Sequence, residues 1–221
     1  MLKAVIFDFD YTLGDSTNGI ALSINYALEQ LRYPPKSIEE IKKTIGLSLK
    51  ETFFKLMSSN NVQEAEQFAR LFKEKADQVM VDNTRLYEGV KEILGSLKER
   101  GYKTAIVTTK FHYRIEQILH KFEATDLIDL IVGAEDVKVE KPNPEGLLWA
   151  IDHLSVNAAD VLYVGDSIVD AQTAANANVA FAATLTGSTT SEEFACHEKA
   201  YIGKSIIDVY KFITSKEKNI E

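Results

Sequence analysis

A chain of 221 residues with 33 acidic and 25 basic side chains, net charge -8, can bury a substantial core but has no general attraction for nucleic-acid backbone or an anionic membrane surface. No apolar run approaches the ~20 residues of a membrane-spanning helix, and Met1 leads into strand without a charged and hydrophobic signal region, so a soluble cytoplasmic protein is expected. The single cysteine, Cys196, excludes an internal disulfide and fits a reducing compartment; its neighbour His197 is no partner for it, because adjacent residues of a strand or helix point apart.

The first predicted element is a buried strand, Ala4 to Phe7, ending in two acids, Asp8 and Asp10. Side chains alternate along a strand, so both acids point to one side. Thr12, Gly14, Asp15 and Ser16 turn the chain at once and leave the acids at the strand's carboxyl end, where α/β sheets build their sites. Singly, Asp8 reads as a loop cap and Asp10 as a solvated acid. Together, two ionised carboxylates about 4 Å apart repel by ~4 kcal/mol at an effective dielectric of about 20. A shared proton, a basic side chain or a hard divalent cation has to offset that.

Helical spacing follows. Ile20, Ile24, Leu28 and Leu31 form a stripe that Asp15 or Ser16 can cap; Ser37 with Glu40 and Ser48 with Glu51 are capping boxes ahead of Ile41 and Ile45 and of Phe54 and Leu56. Asn61 opens a further helix with Phe68, Phe72, Ala76 and Val79 on one face. These helices fill residues 15–84 and read as a domain inserted after the first strand.

From Leu86 onward helix and strand alternate. A helix bearing Val90, Ile93, Leu94 and Leu97 stops at Gly101, and Lys103 to Thr108 is a strand. A helix with Ile115, Ile118, Leu119 and Phe122 leads to a strand over Leu127 to Val132. Asn143 as N-cap and Pro144 as first residue start a helix with Leu147, Leu148, Ile151 and Leu154. Strands are expected at Val161 to Val164, Val179 to Thr184 and Ala200 to Ile202, then a helix with Ile206, Ile207, Tyr210 and Ile213. The tail Ser215 to Glu221 reads as frayed. Such alternation implies right-handed crossovers and a parallel sheet covered on both faces. The expected fold class is therefore α/β, a Rossmann-like parallel sheet core of residues 1–14 and 85–221 with an inserted all-helical cap of residues 15–84.

The strand ends of that core collect Asp8 and Asp10, then Thr108, Thr109 and Lys110, then Glu140 and Lys141, then Asp166 and Asp170. Each has an ordinary reading as strand end, surface lysine or helix cap, but they share one face. A chemistry can be built from them. Asp8 attacks phosphorus and forms an aspartyl phosphate; Asp10 protonates the leaving oxygen and then deprotonates water. Lys141, the Thr108 hydroxyl and amides near Thr109 neutralise the moving group. Magnesium on oxygens of Asp8, Asp10 and Asp166 supplies the missing positive charge.

DFDYT at 8–12, VTTK at 107–110, EKPNPEG at 140–146 and GDSIVD at 165–170 resemble, in order and spacing, the four motifs of the haloacid dehalogenase superfamily. The helical insertion and LTGSTTSEEF at 185–194 are similar to the phosphoglycolate phosphatase and PpaX-like pyrophosphatase branch, whose small cap is shared by β-phosphoglucomutase. The resemblance implies Asp8 as nucleophile, Asp10 as acid and base with its main-chain carbonyl on magnesium, Thr108 and Lys141 as phosphate binders, Asp166 as the remaining ligand and Asp170 behind them. It implies a hydrolase acting on a small phosphorylated metabolite, a phosphate monoester of the phosphoglycolate kind or pyrophosphate; a monomer or weak homodimer is expected, and the charge balance already argues against nucleic acid and membrane as partners. Tyr11 stands where most relatives carry glycine, and with Gly46, in the loop Thr44 to Ser48, is expected to shape specificity. A phosphomutase of the β-phosphoglucomutase type would keep the same motifs, and a non-catalytic phosphate-binding module is the reading from another class. Neither GxGxxG nor GxxxxGK[ST] occurs, which disfavours a nucleotide binder.

Overall fold

The computed structural model describes residues 2–217, and the chain divides into two compact units, Met1–Gly14 with Leu86–Glu221, and Asp15–Arg85. Strand β1 (Ala4–Phe7) is followed by a short strand β2 (Gly14–Asp15). The helical unit holds α1 (Thr17–Gln30), α2 (Ile38–Lys42), α3 (Leu49–Met57) and α4 (Val62–Val79), and the chain leaves it through β3 (Arg85–Leu86), which pairs with β2.

The helical unit is built on the expected apolar stripes. Ile24, Ala27 and Leu28 of α1 pack with Phe53 of α3 and with Phe68 and Phe72 of α4. Phe53, not Phe54, is the fully buried ring; Phe54 is only partly covered and lies under the Lys50 ammonium. Both expected capping boxes form, Ser37 with Glu40 and Ser48 with Glu51. At α1 the cap is Asp15, whose Oδ1 accepts the Thr17 N–H at 2.8 Å, while Ser16 makes no side-chain cap bond.

The other unit alternates as α5 (Val90–Glu99), β4 (Lys103–Val107), α6 (His112–Lys121), β5 (Leu130–Val132), α7 (Glu145–His153), β6 (Val161–Gly165), α8 (Ile168–Asn176), β7 (Ala180–Thr184), β8 (Tyr201–Gly203) and α9 (Ile206–Glu217). The strands lie in the order β5-β4-β1-β6-β7-β8, every neighbouring pair parallel. The α/β class with a parallel, Rossmann-like sheet is thus what the chain forms. Strand β1 is central, with Phe7 opposite both Ile106 and Val164, so it is buried on both faces and AVIF contains no polar residue. Ile6, Val107, Leu147, Tyr163 and Phe181 belong to one core cluster, each large apolar side chain contributing ~1.5–3 kcal/mol by burial.

Several boundaries differ from the sequence reading. Residues Thr125–Leu127 form a 3-10 turn instead of the start of a strand, because the Asp129 carboxylate ties back to the Thr104 N–H and the Lys98 ammonium and delays β5 until Leu130. Pro144 is the N-cap of α7 rather than its first residue, and Asn143 Oδ1 accepts the Glu145 N–H at 2.9 Å. The expected frayed tail is helical as far as Glu217, because α9 continues; the remainder of that tail lies outside the described residues.

Candidate active site

Central strands β1, β4 and β6 deliver Asp8, Thr108 and Asp166 from their carboxyl ends, and the loop after β5 brings Lys141. All four side chains are buried. The Lys141 ammonium stands 2.6 Å from Asp170 Oδ1, 2.9 Å from Asp8 Oδ1 and 3.1 Å from the Tyr163 hydroxyl. Tyr163 in turn lies 3.0 Å from the Val107 carbonyl and 3.1 Å from Asp170 Oδ1, so one phenol ties the lysine and the acid to the neighbouring strand.

Asp170 occupies the first turn of α8 and closes a capping box: its Oδ2 accepts from the Ser167 N–H at 3.1 Å and the Ser167 hydroxyl at 2.6 Å. Two glycines make room for these acids. A Cβ at Gly165 would lie 2.5 Å from Asp170 Cγ, and one at Gly187 would collide with Asp166 Oδ2. The loop after β7 therefore approaches Asp166 closely by its backbone, and its Thr186 hydroxyl donates to the Tyr11 carbonyl.

Asp8, Asp166 and Asp170 each offer a carboxylate oxygen within 4.8 Å of the others, with one ammonium among them. Burial raises Asp8 from 3.8 to about 6; Lys141 opposes that rise, and Asp170 and Asp10 add to it. Burial, followed by Asp170 and Asp8, raises Asp166 well above the carboxylate range. Burial alone would lower Lys141, but Asp170 and Asp8 outweigh it and hold the ammonium well above its usual value. With all three ionised, the acids would outnumber their one cation, and the raised Asp8 and Asp166 are the response to that excess and to burial.

Magnesium fits this set. Every donor is a carboxylate oxygen, the ligand type a hard cation takes. Among the described residues Asp8 Oδ1 meets only the Lys141 ammonium, at 2.9 Å, whereas both Asp170 oxygens are taken by Lys141, Tyr163 and Ser167. Asp8 thus keeps more free lone pairs for a cation than Asp170 does.

Asp10 is placed differently from Asp8. Its Oδ2 forms an ion pair with the Lys110 ammonium at 2.8 Å. It follows Phe9, whose carbonyl accepts the N–H groups of Thr12, Leu13 and Gly14, a tight turn in which Tyr11 has φ 61° and is buried. Thr108 is buried and its Oγ1 accepts the Lys110 N–H at 3.3 Å, while Thr109 beside it is half-buried. Gly46 lies in the helical unit, between α2 and α3, with φ 94°. Sequence reasoning did not anticipate the pairing of Lys110 with Asp10, the Tyr163 contact or the close approach of Gly187. One signal was available for the second: Tyr163 carries the only polar tip in the otherwise apolar strand VLYVG.

A family model for haloacid dehalogenase-like hydrolases matches residues 5–184. The phosphoglycolate phosphatase of Aliivibrio fischeri is 31% identical over 180 residues, 78% of this chain and 79% of that one. The pyrophosphatase PpaX of Bacillus mycoides is 33% identical over 196 residues, covering 87% and 89%. Among solved structures, one from Bacteroides fragilis described as a haloacid dehalogenase-like hydrolase superposes with a TM-score of 0.92 at 38% identity, covering 95% of this chain and 100% of that chain. With its parallel sheet and its acids at the strand ends, the chain belongs to the haloacid dehalogenase-like hydrolase family.

Proposed function

We propose that this hydrolase is a magnesium-dependent phosphatase that cleaves a small phosphate monoester of the phosphoglycolate kind, or pyrophosphate, through an aspartyl phosphate on Asp8. The observation that carries the reading is the buried set at the strand ends, Asp8 and Asp170 on one ammonium of Lys141 with Asp166 beside them. The relatives named phosphoglycolate phosphatase and PpaX support the substrate class.

An Asp8 oxygen attacks phosphorus, the bond from phosphorus to the leaving oxygen breaks, and Asp10 gives that oxygen its proton. Water then attacks the phosphorus of the aspartyl phosphate, Asp10 takes the water's proton, and the bond to Asp8 breaks to free phosphate. Lys141, already against Asp8, and the Thr108 hydroxyl hold the equatorial oxygens of the transferring group. Magnesium, when bound by the Asp8 and Asp166 carboxylates and the Asp10 main-chain carbonyl, would supply charge neutralisation on the transferring phosphoryl group. Asp170 and Tyr163 fix the lysine. Tyr11, which departs from the family pattern beside Asp10, and Gly46, in the loop between α2 and α3, are proposed as specificity residues.

The test is phosphate release from p-nitrophenyl phosphate, phosphoglycolate, pyrophosphate and sugar phosphates, with magnesium, with calcium and with chelator. Turnover should require magnesium, fall with calcium, whose looser shell misplaces the reacting atoms, and fall on the order of 10⁴-fold in Asp8→Asn. Turnover that survives chelation, or an active Asp8→Asn, would overturn the reading.

A further inference from the structure

Lys110 is the residue of VTTK to which the chemistry above gives no part, yet it is one of the buried lysines of the chain. It follows β4, the direct neighbour of β1, so the two strands bring the residues beyond their ends side by side. Its backbone is held at both groups: the N–H reaches Thr108 Oγ1 at 3.3 Å, and the carbonyl accepts the Ala134 N–H at 3.1 Å. From that fixed base the ammonium, with a side chain 4% exposed, meets Asp10 Oδ2 at 2.8 Å. It pairs with Asp10, while Lys141 serves Asp8 and Asp170.

The pairing makes the two oxygens of Asp10 unequal. Oδ2 is committed to Lys110, and Oδ1 is buried with no hydrogen-bond partner among the described residues. We propose that Lys110 is a positioning residue for the reaction: by anchoring Oδ2 it orients Asp10 so that Oδ1 is the atom that gives a proton to the leaving oxygen and later takes one from water. This rests on the phosphatase reading above. The balance is that of the two steps already written. As the bond between phosphorus and the leaving oxygen breaks, the Oδ1 proton moves to that oxygen; as water attacks the aspartyl phosphate, a water proton returns to Oδ1. Lys110 itself exchanges no proton and touches no substrate atom.

A residue acting this way matters in proportion to how much the leaving group needs a proton. Single-turnover phosphorylation of Asp8 by an alkyl phosphate, with a basic leaving oxygen, should slow about 100-fold in Lys110→Met, within the range acid catalysis supplies. With p-nitrophenyl phosphate, whose leaving group needs little protonation, the same step should stay within about 5-fold of wild type. Inhibition by inorganic phosphate should not change, because Lys110 is not a phosphate ligand. Lys110→Gln keeps a hydrogen-bond donor of shorter reach and should fall between wild type and Lys110→Met; if Lys110→Met does not fold, the comparison of the two esters is made on Lys110→Gln. An equal loss on both esters would make Lys110 merely structural, and a weakened phosphate inhibition would make it a direct binder; either overturns the proposal. A wild-type protein that forms no phosphoenzyme with either ester would overturn the phosphatase reading itself, and this inference with it.

Discussion

The capping boxes of the helical unit and the one that opens α8 are the same local device in opposite surroundings. Glu40 and Glu51 close their boxes in solvent, whereas Asp170 closes its box fully buried and passes its other oxygen to Lys141. The contrast extends through both units. Buried polar side chains of residues 15–85 are hydroxyls, such as Ser23, Thr44 and Thr52; the buried charged ones, Asp8, Asp10, Lys110, Arg114, Lys141, Asp166 and Asp170, all belong to the α/β unit. One unit sets Glu40 and Glu51 at helix starts on the surface. The other holds like charges together out of water, an arrangement that weakens a fold unless something else needs it.

The most direct way to break this comparison is to remove a cation from each unit. Lys141→Met leaves buried acids without their ammonium and should destabilise the metal-free protein by about 3–5 kcal/mol at pH 7.5. Lys36→Met removes the partner of Glu40, an ion pair at 3.3 Å whose glutamate side chain is 50% exposed. That change should cost less than about 1 kcal/mol. Urea unfolding measures both. Equal effects would mean that the buried set is no more strained than the surface.

Proton linkage sharpens the same contrast. Asp8 in the native state sits at about 6 rather than 3.8, through burial first. Between those values the native state holds the proton and the unfolded chain does not, so stability contributed at low pH is lost as pH rises from about 4 to 6. The ceiling is about 3 kcal/mol, and Asp166 shifts the same way. Metal-free wild type should therefore gain stability on acidification from pH 7 to pH 5. Asp8→Asn should be the more stable protein at pH 7.5, and magnesium should stabilise wild type more at pH 7.5 than at pH 5. Thermal unfolding of both proteins at the two pH values decides it; a wild type that loses stability over that interval would show the acids to be fully compensated without a metal.

What the sequence could disclose follows from which features are local. Alternation of strand and helix, the burial of AVIF and the boxes at Ser37 and Ser48 depend on neighbours in the chain, and the α/β class was legible from them. The strand ends could be read too, so Asp8, Thr108, Lys141 and Asp166 could be named as candidates before any contact was known. Which of them meet was not legible, because it depends on strand order. Lys110 reaches Asp10 only because β4 lies beside β1, and Tyr163 serves Lys141 only because the loop after β5 crosses to β6. Phe53 and Phe54 carry the same side chain at successive positions, and only packing against Phe68 distinguishes them.

The smallest effect tests the boxes themselves. Ser167→Ala removes a hydroxyl that stands 2.6 Å from Asp170 Oδ2 and accepts the Asp170 N–H at 3.2 Å, and it leaves a buried carboxylate oxygen short of a donor. A lost cap together with an unsatisfied buried group should cost about 2 kcal/mol, whereas Ser37→Ala, in water, should cost about 0.5–1 kcal/mol. The exposed box has a further signature. Glu40 is lowered from 4.5 to about 2, chiefly by the main-chain N–H of Ser37, which meets its Oε2 at 2.9 Å, and next by the Ser37 hydroxyl. Its contribution to stability is present above about 4.5 and is lost as pH falls toward about 2. Alanine keeps the main-chain donor, so the Glu40 carboxyl, followed by NMR in Ser37→Ala, should titrate higher than in wild type but still below 4.5. A return all the way to 4.5 would mean that the hydroxyl, and not the backbone, holds the exposed box together, and Ser37→Ala should then cost as much as Ser167→Ala.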